Sequence, residues 1–235
     1  MSKPYQNFLY QAMEEDGIYY PDTDGVPMAE NTTQYRWIVT IKEGLELELP
    51  NDFVGADLFW YPVKGEPNKR YAPDVMVALG RPKGERPSYM QWRENDVAPQ
   101  IVFEILSPSN TASEMKKKLT FYEKYGVQEY YVYNPENNKL DIWQRDATAN
   151  KLAVVNFVGG WTSPRLGIRF QLSSERLNIF HTNGEPFSTF QEVAQMLRQE
   201  RTEKEQALLI VEKERAEKEK LKEKLRLLGI DPDSL

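Results

Sequence analysis

Hydrophobic and polar positions alternate along this chain with two different periods, and the change of period falls near its middle. Short runs rich in β-branched and aromatic residues predict strands over 58–63, 74–79 and 101–106, with Gly- and Pro-bearing connections between them. Residues 80–99 read as an extended loop. After Leu106 the period changes. Ser107-Pro108-Ser109-Asn110 supplies turn and cap chemistry, and Met115, Leu119 and Tyr122 recur on one face of a helix that stops at Gly126. A strand over 129–134 follows, and Pro135-Glu136-Asn137-Asn138 turns the chain into its hairpin partner over 140–145. Residues 101–133 therefore read as β-turn-α-β, two strands of one sheet with the helix packed across them. That arrangement carries Lys118 over the sheet that bears Glu104.

The flanks are less regular. Over 29–47, Tyr35, Ile38, Ile41 and Leu45 stand at helical spacing behind an Asn31/Thr32/Thr33 start signal, while Trp37-Ile38-Val39-Thr40-Ile41 competes as a strand; the helix is the preferred reading. Further strands are expected over 152–158 and 168–172, with Gly159-Gly160 as a break. From 187 to 228 the chain is an uninterrupted helix former with alternating Glu and Lys. Heptads counted from Phe190 place Val193, Leu197, Ala207, Val211, Leu221, Leu225 and Leu228 at core positions, but Glu200, Lys204, Glu214 and Lys218 interrupt the seam. A weak coiled coil fits better than a strong zipper. The expected division is a body over 1–185 and a charged helical segment over 186–235, the latter promoting a homodimer.

Composition then removes whole reaction classes. The 235 residues include no cysteine and one histidine, His181, which excludes a thiolate nucleophile, disulfides, thiolate zinc sites and two-histidine metal motifs. Acid-base work falls to Asp, Glu, Lys, Tyr or water. With 40% hydrophobic and 12% aromatic residues there is material for one sizeable core. A net charge of −6 lacks the basic footprint of a constitutive DNA binder, although a local basic groove over 64–70 or 81–93 stays open. No stretch reads as a membrane span, and neither a secretory leader nor cysteine is apparent, so a soluble cytoplasmic protein without a membrane partner is expected. Glycine-rich nucleotide loops are absent, and Ser113-x-x-Lys116 lacks the companions of a serine acyl-enzyme.

What remains is a trio delivered by regular structure: Asp74 after Pro73, Glu104 within Ile-Val-Phe-Glu-Ile-Leu, and Lys118 on the following helix. Two acids and a lysine suit metal-dependent phosphodiester chemistry. Each has a plainer reading. An Asp after Pro is commonly a turn residue, Lys116-Lys117-Lys118 is the kind of run that lines a solvated face, and Glu104 could sit in a structural ion pair. Glu104 is the hardest to explain away, because a run apolar on both faces buries it, and an unpaired carboxylate there costs several kcal/mol.

Pro73-Asp74-Val75-Met76-Val77, Glu104-Ile105-Leu106-Ser107-Pro108-Ser109 and Lys118-Leu119-x-x-Tyr122-x-x-x-Gly126-Val127-x-Glu129-Tyr130 together resemble the Uma-two-type restriction endonucleases of the PD-(D/E)XK nuclease superfamily, over about residues 30–180. The resemblance implies an α/β (α+β) fold with a mixed sheet flanked by helices, and hydrolysis of DNA. It implies that Asp74 and Glu104, with the backbone carbonyl of Ile105, hold Mg²⁺ or Mn²⁺. The short form of the motif puts its lysine where this chain has Leu106, and Lys118 is the residue matching a lysine on the next helix. Glu114 and Glu30 match accessory acids. The departure at Leu106 keeps two alternatives open: an inactive nuclease-fold module that binds nucleic acid or protein, and an adaptor whose working part is the C-terminal helix.

Overall fold

A computed structural model describes residues 14–22, 29, 31–157 and 159–227. A hairpin of β1 (Glu14–Glu15) and β2 (Ile18–Tyr19) precedes helix α1 (Thr32–Glu48). Then come β3 (Phe53–Gly55), β4 (Trp60–Tyr61), β5 (Val75–Ala78), β6 (Tyr89–Met90) and β7 (Ile101–Ile105). Helix α2 (Ala112–Lys124) leads to β8 (Glu129–Asn134), β9 (Lys139–Arg145) and β10 (Leu152–Val154). β11 (Trp161–Thr162), β12 (Arg169–Leu172), β13 (Leu177–Phe180) and helix α3 (Phe190–Leu227) complete the order.

Six strands form the central sheet in the order β10-β9-β8-β7-β5-β3, parallel between β7 and β8 and antiparallel elsewhere. The fold is thus mixed α+β, with α2 making the crossover between the parallel pair. β7 is buried along its whole length. Its odd-numbered residues Ile101, Phe103 and Ile105 pack with Ile38, Ile41 and Leu45 of α1 and with Phe170 and Ile179 of the small sheet β11-β12-β13. Val102 on the opposite face joins Tyr122 of α2 and Tyr130 and Val132 of β8. A strand covered on both sides reads as a continuous apolar run, which is why Glu104 stood out within it.

α1 is a helix despite its β-branched centre, because Gln34, Ile38, Ile41, Gly44 and Leu45 form one buried stripe and burial outweighs the small propensity penalty. Asn31 caps it, its side-chain oxygen accepting the Gln34 N–H at 2.9 Å. Tyr35, expected on that stripe, is exposed and Gln34 takes its place.

Three expectations need correction. The strand over 58–63 shrinks to β4, and the loop over 80–99 contains β6, paired parallel with β4, and a 3-10 turn at Gln91–Arg93. β3 and β13 are strands the pattern does not announce, being too short to display a period. The basic segments are largely committed to local acids: Lys64 to Glu15 and Asp16, Arg93 to Glu15, and Arg86 as a fork on Glu94 at 2.6 and 3.2 Å.

The chain divides into two compact units between Phe187 and Ser188. The second contains α3, which buries no residue and leaves Val193, Leu197, Val211 and Leu221 exposed. Among the described residues no helix is long and apolar enough to cross a membrane.

Gly44 lets the last residue of the first unit close over α1. A Cβ at this position would lie 2.2 Å from the Phe187 ring, so the glycine is required by close approach and not by backbone conformation. Gly44→Ala should therefore destabilise by about 1–3 kcal/mol through overpacking. In a Phe187→Ala background the same change should stabilise by up to about 1 kcal/mol, since only the helix preference for alanine remains. Denaturant titration of the four proteins checks this, and an unchanged sign in the second background would contradict it.

Candidate active site

Register brings the two acids together. β5 and β7 are antiparallel with Val75 opposite Phe103, and extending that pairing by one residue sets Asp74 opposite Glu104. The lysine arrives from above. Thr111 caps α2, accepting the Glu114 N–H on Oγ1 at 3.2 Å, and the Thr-x-x-Glu spacing is that of a capping box. The other end closes on Gly126 at φ 98°, where the Val127 N–H donates to the Tyr122 carbonyl at 3.0 Å. Between these stops Lys118 and Tyr122, one helical turn apart, reach the sheet together.

Both oxygens of Glu104 are engaged. Lys118 Nζ donates to Oε2 at 2.7 Å and Tyr122 Oη donates to Oε1 at 2.5 Å. The pair is withdrawn from water, the Glu104 side chain being 3% exposed and that of Lys118 12%. Ile105 links the site to the opposite layer through its backbone: its N–H donates to Asp74 Oδ2 at 2.6 Å, and its carbonyl accepts from Gln34 Nε2 of α1 at 2.9 Å.

Burial first, and the charge of Glu104 second, push the Asp74 carboxyl well above its ordinary value, against the pull of the Ile105 N–H and of Lys118. For Lys118 burial works against charge, but Glu104, Asp74 and Glu114 outweigh it and raise the ammonium above its ordinary value. It stays a cation at neutral pH. Burial and the Glu104 charge raise the Tyr122 phenol well above its usual range, so it stays a neutral donor. Tyr130, raised by burial and then by Glu104 and Asp74, keeps its buried hydroxyl without a hydrogen-bond partner among the described residues.

Of the residues singled out in the sequence, Asp74, Glu104, Lys118 and the Ile105 backbone meet at one place. Glu114 stands in the first turn of α2, where its charge acts on Lys118 without bonding to the trio. Glu30 lies outside the described residues. Leu106 packs into the apolar cluster under α2. Tyr122, Gln34 and Tyr130 are contributions that the sequence reading did not assign. The first two carried a signal: Tyr122 follows Lys118 at i+4, and Gln34 is a polar residue in step with Ile38, Ile41 and Leu45.

The donors available to a metal are oxygens only, which suits Mg²⁺ or Mn²⁺ and not a soft-ligand ion. Among the described residues no third Asp, Glu, His or Cys joins Asp74 and Glu104 in a metal-ligating group. The mutual repulsion felt at Asp74 is what a bound divalent cation relieves, so the two carboxyls fit such an ion, with the second lone pair of the Ile105 carbonyl as a further donor.

Asp74 also generates a pH dependence. With its folded pKa above the ordinary 3.8, the carboxyl favours folding fully below 3.8, and that contribution is lost as pH rises through the folded value. In the presence of a chelator, Asp74→Asn should therefore gain stability over the wild type on going from below 3.8 to neutral pH, as read by denaturant midpoints. A difference that does not change with pH would contradict the assignment.

A family model, Uma2, described as "Putative restriction endonuclease", matches residues 26–179. Among solved structures, the chain is similar to one titled "a putative nuclease belonging to DUF820 from Anabaena variabilis ATCC 29413", at 15% identity and a TM-score of 0.43, covering 65% of this chain and 81% of that one. No curated protein gives a significant match. Since the family match spans well over half of its residues, this chain belongs to the Uma2 family.

Proposed function

We propose that this protein is a metal-dependent endonuclease that hydrolyses phosphodiester bonds in DNA. The observation that carries the reading is the convergence of Glu104 on β7, Asp74 just before β5, and the Lys118 ammonium of α2, 2.7 Å from Glu104, at one partly buried point. Asp74 and Glu104 would hold Mg²⁺ or Mn²⁺, with Ile105 O as a further ligand. Such an ion, when bound, polarises a scissile phosphate and lowers the pKa of a coordinated water. Lys118 is unsuited to act as a base, because its acidic neighbours keep it protonated. Its part is to orient the attacking water and to offset negative charge developing on the phosphate oxygens. Tyr122 fixes the Glu104 carboxyl while remaining neutral, and Glu114 and Glu30 serve as accessory acids, Glu114 by sustaining the charge on Lys118. The apolar positions left exposed on α3 are assigned to pairing with a second copy of the chain, which would supply two sites for two strands.

One observation favours a second reading. Both Glu104 oxygens are already satisfied by Lys118 and Tyr122, as a structural ion pair requires, so the fold could serve as a binding module without cleavage. Calorimetry with Mn²⁺ separates the two: heats that are absent, or equal for wild type and Asp74→Asn, favour the module.

Glu104→Gln should abolish metal-dependent nicking of plasmid DNA while leaving the circular dichroism spectrum intact, and retained nicking would refute the assignment. Lys118→Ala should lower kcat by about 10²–10³-fold and leave Mn²⁺ binding measurable by calorimetry. Loss of the ion together with activity would show that the lysine only supports the fold of the site.

A further inference from the structure

The far flank of α2 carries a second feature. A cleft of about 560 Å³ opens between this helix and the segment around Tyr71. Four lysines line it, Lys69, Lys116, Lys117 and Lys124, in a chain whose net charge is −6. Lys116, Lys117 and Lys124 are exposed and have no carboxylate partner among the described residues, while Lys69 bonds to Glu66 in an exposed pair of the kind a phosphate readily displaces. Lys117 and Lys124 stand about 11 Å apart along the helix, far enough to engage more than one phosphate.

The cleft also presents aromatic rings. Tyr71, Phe121 and Tyr125 line it and are only partly buried, with Phe121 edge-on to Tyr71 at 4.9 Å and tilted against Tyr125 at 4.6 Å. Lysines contribute charge without a base-reading fork, and ring faces accept bases only where these are unstacked from a partner strand. The cleft adjoins the site: the Tyr71 ring meets that of Tyr122 at 6.3 Å, Tyr122 donates to Glu104, and Lys117 precedes Lys118 in the chain.

We infer that this cleft is a track for single-stranded DNA, bound without sequence preference and led past Tyr71 toward Glu104 and Lys118. The inference rests on the nuclease reading only for the fate of the strand once it arrives, and binding can be measured with cleavage switched off.

The test is fluorescence anisotropy of the full chain with a labelled oligodeoxythymidylate, a blunt duplex of equal length and an oligouridylate, with a chelator present throughout. The deoxy single strand should bind most tightly. Replacing Lys116, Lys117 and Lys124 together by Ala should reduce the slope of log affinity against log salt by about 2, near 0.7 for each lost phosphate contact. Tyr125→Leu, which keeps the apolar contact and removes the ring, should weaken single-strand binding about 5- to 150-fold without changing duplex binding. An unchanged slope in the triple variant, tighter binding of the duplex or of oligouridylate, or no binding by the wild type would overturn the track. Cleavage that persists without these lysines would remove the cleft and leave the nuclease reading intact, whereas lysine-dependent binding by a protein that never cleaves would do the reverse.

Discussion

A carboxyl in the middle of a buried strand is the constraint on which the rest of this structure depends. Glu104 is 2% exposed on the central strand of the sheet, where an uncompensated carboxylate costs several kcal/mol. Among the described residues, compensation comes from one element: Lys118 and Tyr122 both project from α2. The helix must therefore be held at a fixed height and rotation over the sheet. Its cap at Thr111, its stop at Gly126 and the short parallel crossover from β7 to β8 all serve that end. Removing either donor leaves Glu104 buried with one bond fewer, a cost that a divalent ion on the same carboxyl would offset.

Ile105 ties the opposite layer to the same point. Ile105 buries its side chain beneath α1, gives its N–H to Asp74 and takes an amide proton from Gln34. A displacement of α1 is thereby felt at Asp74, whose carboxyl is already strained electrostatically by burial and by Glu104. Two carboxyls facing each other across neighbouring strands, with one ammonium bonded to only one of them, leave Asp74 the carboxyl that a further cation would favour in its charged form. α2 separates two environments: an enclosed acidic pair on its sheet side and an open basic, ring-lined cleft on its flank.

Much of this was legible in the chain. The change of period after Leu106 located β7, α2 and β8, and the apolar run around Glu104 marked it as a carboxyl needing a partner. The joining of Asp74 to Glu104 was less accessible, because it depends on antiparallel register between strands separated by the whole 80–99 segment. That segment itself was misread. Two-residue strands such as β4 and β6 carry no period and are fixed by pairing with each other. The basic residues there looked free in one dimension, yet Arg86 is spent on Glu94 and on the face of Phe53, 4.1 Å away. The cleft lysines, by contrast, lay in the run that also contains Lys118, and only the rotation of α2 distinguishes the one that turns inward from the two that do not.

The central claim is that Asp74 and Glu104 act as one oxygen-donor pair, with Lys118 as the attendant cation. A crystal structure of the protein soaked with Mn²⁺, with the ion located by its anomalous signal, tests this most directly. The account predicts a single ion within about 2.0–2.6 Å of carboxylate oxygens from both Asp74 and Glu104. Crystals that bind no ion there, with Lys118 and Tyr122 still closed on Glu104, would contradict it.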